Sequence, residues 1–331
     1  MPMSRLNASV ARRALCAALA LAGLGLSAPA LAEAKFPTKP VTLYVPFPPG
    51  SATDSMMRAL GPVMSKSLGQ PVVIDNRPGA AGTLAAAMMA QSKQPDGYQL
   101  AVAPATLFKV PHMQKVPYDP MKDLTYIVAF ASYTYGLVVP GNSPWKTLND
   151  FVSGAKVATQ PLSIATTGSG SSGHAATVLL ARHTGIQLQS VPFKGGSEVL
   201  QAFVGGHVQG VIDGGWAQNV RQGKGRALVT FSEKRLIPDV PTARELGIDV
   251  VTYSPIGLVG PKGMDPKIVQ TIQDVIKEAI QDPNFKKALE TYDLGETYMT
   301  SAEYRKVAER LWVDEKKNLE MLGLIGADAP K

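Results

Sequence analysis

Cysteine is nearly absent from this chain: Cys16 is the single thiol in 331 residues. One thiol cannot close an intramolecular disulfide, and no thiolate-rich metal site can be assembled from it. Histidine is scarce too. His112, His174, His183 and His207 fall in no zinc-ligand spacing, so no metal is expected. No serine of the glycine-rich loops lies in G-x-S-x-G, and no P-loop lysine follows a glycine-rich turn. No catalytic residue and no cofactor is therefore expected. A basic block is also missing. Lysine and arginine are scattered along the chain, which argues against a nucleic-acid partner and suits mild steering of small anions. Internal repeats and low-complexity tracts are absent.

Acidic residues are lacking before Glu33, and that stretch has the organisation of a signal peptide. Arg5, Arg12 and Arg13 form a basic start, Ala14 to Leu26 is apolar, and Ala30-Leu31-Ala32 fits the small-x-small cleavage rule. Residues 1–32 are expected to be removed, with the protein delivered to the periplasm. The apolar run is too short to span ~30 Å of hydrocarbon, which disfavours a membrane anchor. Cys16 sits within it, after Arg13-Ala14-Leu15, too early for a lipoprotein cysteine. Arg12-Arg13 matches the twin-arginine pattern weakly, so ordinary secretion is expected. The roughly 300 residues that remain are many for one hydrophobic core, and two domains are the natural expectation.

That remainder alternates short apolar runs with helical stretches. Strands are predicted at Val41–Val45, Val72–Ile74, Leu100–Ala103, Tyr126–Phe130 and Gly136–Val139, then at Leu162–Ala165, Leu188–Val191, Val208–Ile212, Ala227–Thr230 and Gly257–Val259. Their near-continuous apolar character fits strands covered on both faces of a largely parallel sheet. The clearest helix is Asp265–Asp282, with Asp265 as cap and Pro266 at the first helical position. The last opens on a capping box, Thr300 with Glu303. The fold class is α/β. Domain crossings are expected near residues 136–144 and 252–257. They place 33–137 plus 254–331 in one domain and 138–253 in the other, with a hinged cleft between.

Two loops carry the chemistry. The first strand ends in Pro46-Phe47-Pro48-Pro49-Gly50-Ser51-Ala52-Thr53-Asp54, and a helix follows. Its unpaired N–H groups and positive dipole end make an anion site that needs no charged side chain. Thr53 or Asp54 is expected to cap this helix. Asp54 would repel a carboxylate and is read as structural. The second loop is Thr166-Thr167-Gly168-Ser169-Gly170-Ser171-Ser172-Gly173-His174. Its glycines satisfy G-x-G-x-x-G, so a dinucleotide site has to be weighed. The turn is not in the first βαβ unit, however, and the next strand ends in Pro192-Phe193-Lys194 where a ribose-binding acid is wanted. A smaller anion fits the same physics. His174 either hydrogen-bonds its own loop or meets a ligand. Asp213, at a strand end before Gly214-Gly215-Trp216, either caps a helix or accepts from a ligand; Trp216 is either a flat wall or core.

These loops resemble those of the periplasmic receptors of the tripartite tricarboxylate transporters, often called the Bug family. The resemblance runs over the whole chain after the signal peptide. It is carried by Val45-Pro46-Phe47-Pro48-Pro49-Gly50 with Asp54, Asp75-Asn76-Arg77-Pro78-Gly79-Ala80, Pro95-Asp96-Gly97-Tyr98, Gly168–His174, Val191-Pro192-Phe193-Lys194-Gly195-Gly196 and Pro238-Asp239-Val240-Pro241-Thr242. It implies a two-domain periplasmic-binding-protein (flytrap) fold, with two crossover segments, that closes on a small carboxylate. The resemblance assigns ligand contacts to Phe47, Pro49, Gly50, Ser51 and Thr53 in the first loop. In the second it assigns Thr166, Gly168, Ser169, Ser171 and His174, with Thr106 and Asp213 toward the distal end. It further implies a monomer that delivers its ligand to membrane permease subunits. The alternatives are a sensor for a signalling system or, less favoured, a dinucleotide-dependent oxidoreductase. Three departures bear on ligand identity: Ser51 where the family usually has glycine, Ser254-Pro255-Ile256 where an aromatic is common, and Gly214-Gly215-Trp216 after the aspartate.

Overall fold

The computed structural model describes residues 36–193, 196–235 and 237–325. The expected signal peptide lies outside the described residues, as do Lys194 and Gly195 of the Val191–Gly196 motif. The chain first builds β1 (Val41–Val45), α1 (Ala52–Leu68), β2 (Val72–Asn76), α2 (Leu84–Gln91), β3 (Gln99–Ala103), α3 (Val110–Met113) and β4 (Leu124–Tyr133). After two residues it enters another sheet with β5 (Gly136–Pro140), α4 (Leu148–Val157), β6 (Leu162–Thr166), α5 (Ser172–Thr184), β7 (Leu188–Pro192), α6 (Gly196–Val204), β8 (Gly210–Asp213), α7 (Ala217–Arg221) and β9 (Gly225–Thr230). It then returns with β10 (Ser254–Pro261), α8 (Pro266–Ala279), α9 (Pro283–Tyr292), β11 (Gly295–Met299) and α10 (Ser301–Met321).

The first lobe holds a six-stranded sheet in the order β11-β4-β10-β3-β1-β2, the second a five-stranded sheet in the order β7-β6-β8-β5-β9. Both are mixed rather than largely parallel. β10 runs antiparallel to β3 and β4, and β5 runs antiparallel to β8 and β9. These two strands are the ones that follow a crossing between lobes, so no βαβ crossover sets their direction. An apolar run reports burial on two faces and carries no directional information.

Both faces of the second sheet are covered. Leu137 faces a cluster with Phe151, Leu180 and Phe231, while its neighbour Val138 faces one with Phe203, Val211 and Trp216. In the first lobe Tyr44, Phe108, Tyr126 and Tyr304 share one core. Cap chemistry sets the helix starts. Asp265 accepts from the Lys267 amide with Pro266 behind it, and the Thr300–Glu303 capping box is complete. The predicted Asp265–Asp282 helix is shorter than expected. It stops at Ala279, and Asp282 instead caps α9, accepting from the Asn284 amide.

Candidate functional site

The first loop is organised from beneath by Asp54, which is 2% exposed. Its carboxylate accepts from the Gly50 amide (2.8 Å), Asn76 Nδ2 (2.8 Å) and Arg58 Nε (3.0 Å). Asn76 Nδ2 also donates to the Phe47 carbonyl at 2.9 Å. Burial pushes the Asp54 carboxyl up, but the bonds from Arg58, Gly50 and Asn76 outweigh it and hold the group below its ordinary value. Asp54 is thus structural, as read from the sequence, but it does not cap α1, and neither does Thr53. Ser51 is the cap, its Oγ accepting from the Asp54 amide at 3.2 Å. Ser51 can do so because it lies in extended backbone immediately before the first helical residue, whereas Thr53 and Asp54 are already inside the helix. Ala52 and Thr53 N–H are left without a partner among the described residues, aimed out of the helix start. Gly50, at φ 81°, turns the chain into this geometry, and Pro49 and Gly50 are exposed. The Phe47 ring is half-buried against Gly82.

The second loop repeats this plan. Ser171 caps α5, accepting from the His174 amide at 3.1 Å. Ser172 and Gly173 supply the remaining first-turn N–H groups. His174 Nδ1 accepts from the Gly170 amide at 3.1 Å, which requires a neutral ring. Burial and the Lys109 charge both lower the His174 pKa and keep it neutral. The loop-bonding role is therefore filled by Nδ1. Gly168 turns with φ 89°, and Ser169 is exposed. Thr166 is fully buried, and its hydroxyl meets Ser190 Oγ of β7 at 3.0 Å. Gly173 is demanded by packing: a Cβ there would stand 2.1 Å from the Ile212 carbonyl of β8.

The first crossing between lobes carries residues that sequence reasoning missed. Tyr133, the last residue of β4, shares a 2.6 Å hydrogen bond with Thr53 Oγ1, and its ring lies against Gly214. Burial raises its hydroxyl to about 12, so it remains a neutral donor. Tyr135 lies at the same junction, close to Ser172 and Ser254, and burial pushes its hydroxyl up strongly. Asp213 closes the arrangement from β8. It is 8% exposed and accepts from Thr167 Oγ1 at 2.8 Å, and burial leaves its pKa raised against the lowering effect of Thr167 and the nearby Gly214 and Gly215 amides. Thr106 stands on the turn after β3, its Oγ1 buried with no partner among the described residues. Trp216 is core, 1% exposed and packed against Gly136, not a wall. Tyr133-Thr134-Tyr135 does leave a trace in the sequence: two hydroxyl-bearing aromatics at the junction of two apolar runs. Among the described residues no group of acidic residues, histidines or cysteines could hold a metal ion.

A family model described as the tripartite tricarboxylate transporter family receptor matches residues 56–324. The chain belongs to that family. Among relatives of this receptor, the "UPF0065 protein in gbd 5'region" of Cupriavidus necator is 45% identical over 94% of this chain and 96% of its own. MatC from Rhodopseudomonas palustris, solved with bound malate, is 30% identical with a TM-score of 0.72, covering 86% of this chain and 100% of that one. An R. palustris protein solved with adipate is 26% identical with a TM-score of 0.78, covering 87% and 98%. Family and fold are those of periplasmic solute-binding receptors with the two-domain flytrap architecture, as the loop motifs implied. No helix among the described residues is long and apolar enough to cross a membrane.

Proposed function

We propose that this receptor captures a small carboxylate between its lobes and passes it, without chemical change, to the membrane permease subunits of a tripartite tricarboxylate-type transporter. In this reading the chain acts as a monomer in the periplasm, exported by residues 1–32. The lobes divide into 33–137 plus 254–331 and 138–253. One observation carries the reading: each lobe offers a serine-capped helix start with amides left over, and Tyr133 at the crossing bonds the first of them.

In the binding step the Ala52 and Thr53 amides receive the carboxylate from one side, with Phe47, Pro49, Gly50 and Ser51 shaping the turn. Gly168, Ser169, Ser171 and His174 approach from the other side. A helix start contributes ~0.3–1 kcal/mol, up to ~2 where partly buried. Micromolar affinity needs about 8 kcal/mol. Two helix starts therefore fall short, and direct hydrogen bonds from hydroxyls, bridging water and apolar contact supply the remainder. Thr106 and Asp213 read the distal end, Asp213 accepting from a hydroxyl or amine on the ligand. We put dicarboxylates first among the candidates, ahead of amino acids and aromatic acids; the malate and adipate bound to the two relatives support that order.

A thermal-shift and calorimetric screen of malate, adipate, amino acids and aromatic acids tests the reading. A ligand at 100 times its Kd adds about 2.7 kcal/mol of stability. One-to-one binding without consumption of the acid is expected. Failure of every acid to shift the protein, or turnover of any, overturns it.

A further inference from the structure

Lys109 is the most deeply buried lysine side chain described, 3% exposed, and it is not part of the anion loops. It follows the turn bearing Thr106, in the first lobe. Its Nζ stands 3.4 Å from Glu315 Oε1 of α10, in the same lobe, and donates to Ser172 Oγ, at the first residue of α5 in the other lobe, at 2.8 Å. Glu315 is 6% and Ser172 7% exposed, so the whole cluster is buried. Burying an ammonium costs several kcal/mol even with a carboxylate beside it, and each further bond the ion makes offsets that cost. Glu315 alone could neutralise Lys109 inside its own lobe. The ion is instead completed by a hydroxyl on the opposing lobe.

The two lobes touch at two more places nearby. A Cβ on Gly170 would meet Met113 Sδ at 3.0 Å and Leu319 at 3.3 Å, and Arg182 Nη2 donates to the Met321 carbonyl at 2.9 Å. The start of α5 is thus seated on α3 and α10, with Lys109 its only described ionic contact there.

We propose that Lys109, neutralised by Glu315, is a positioning residue that latches the start of α5 to the first lobe through Ser172. Separation of the lobes breaks this bond and admits water to the ion; approach restores it. The inference rests on the proposed binding reading for its effect on ligand, but the latch itself is measurable without ligand. The second anion loop is in register with the first only while the latch is made.

The test uses Ser172→Ala, which removes the crossing bond and leaves the Lys109–Glu315 pair intact. A Lys109→Met/Glu315→Met double variant removes both charges together, leaving no lone buried ion. Spin labels at Val73→Cys and Val157→Cys, exposed on the first and second lobes, report lobe separation in a Cys16→Ser background. Without ligand, both variants are expected to broaden the inter-label distances toward longer values while circular dichroism stays native. Whichever of malate and adipate binds the parent is expected to bind Ser172→Ala about tenfold more weakly, equivalent to about 1.4 kcal/mol. An unchanged distance distribution overturns the latch, and so does a broadened one with unchanged affinity. If the parent binds none of the acids of the screen above while the distances still broaden, the latch stands and the carboxylate reading fails.

Discussion

Gly50 and Asp213 respond differently to substitution. Gly50 sits at φ 81°, where a Cβ would touch nothing within 4 Å, so a side chain there acts through backbone strain rather than collision with the protein. Non-glycine residues in that region lose about 1–2 kcal/mol, and a β-branched one is worse. Gly50→Val is expected to pull the Gly50 amide from Asp54 and weaken every bound carboxylate about tenfold or more in calorimetry. Parent-like affinity would remove the first loop from the site. Asp213→Asn keeps an acceptor for Thr167 and is nearly isosteric, so its stability is expected to stay within about 1 kcal/mol of the parent. The ranking of ligands is what it should change, read by titrating malate, adipate and an amino acid side by side. An unchanged ranking assigns Asp213 to a purely structural role.

At the level of elements, the start of α5 has the least tolerance. Gly173 lies against the β8 backbone, and a methyl 2.1 Å from the Ile212 carbonyl forces helix and strand apart. Gly173→Ala is expected to destabilise by about 3 kcal/mol or more, measured by urea unfolding. A near-parent midpoint would show that the helix can slide without penalty. Much of this layer was legible in the sequence. The apolar runs of β1, β3 and β6, the Asp265-Pro266 start of α8 and the Thr300–Glu303 box of α10 all announce themselves through local chemistry. Three things were not. β11, Gly-Glu-Thr-Tyr-Met, is polar at the edge of a sheet and lacks an apolar run. α9 hides behind α8 because Asp282-Pro283 restarts a helix where the amphipathic pattern looks continuous. The direction of β5 and β10 depends on crossings between lobes. For the site, loop chemistry revealed both helix starts but mistook which residue caps α1. Tyr133, Tyr135, Lys109 and Ser172 became evident only once the fold had brought distant stretches together.

Across the whole molecule, a second tie joins the lobes on another flank. Arg221 of α7 bonds Asp293 and the Glu290 carbonyl, between α9 and β11, and Thr134 donates to the Asp293 carbonyl. Burial raises the Asp293 carboxyl to about 6, against the lowering effect of Arg221; Lys286, Glu290 and Glu296 line the same depression. Its folded pKa exceeds the unfolded value near 3.8, so the native state holds the proton more tightly between those limits. The contribution of Asp293 to stability therefore falls as pH rises from about 4 to about 6, by on the order of 3 kcal/mol. Urea unfolding of the parent and of Asp293→Asn at pH 4, 5 and 7 checks the sign: relative to the variant, the parent gains stability on acidification. A parent that loses ground on acidification relative to the variant contradicts it. Only Thr134 and Tyr135 separate β4 from β5, whereas the return path runs from residue 231 to 253. The return path is tied to that junction, the Phe231 amide donating to the Tyr135 carbonyl, the Thr252 amide to the Phe231 carbonyl and Ser254 pairing with Tyr133, so a swing of one lobe on the other has to bend both crossings together. With both crossings side by side at Tyr133 and Tyr135, the bend is confined to one end of the interface, and under the proposed reading the entrance widens most at the rim farthest from them.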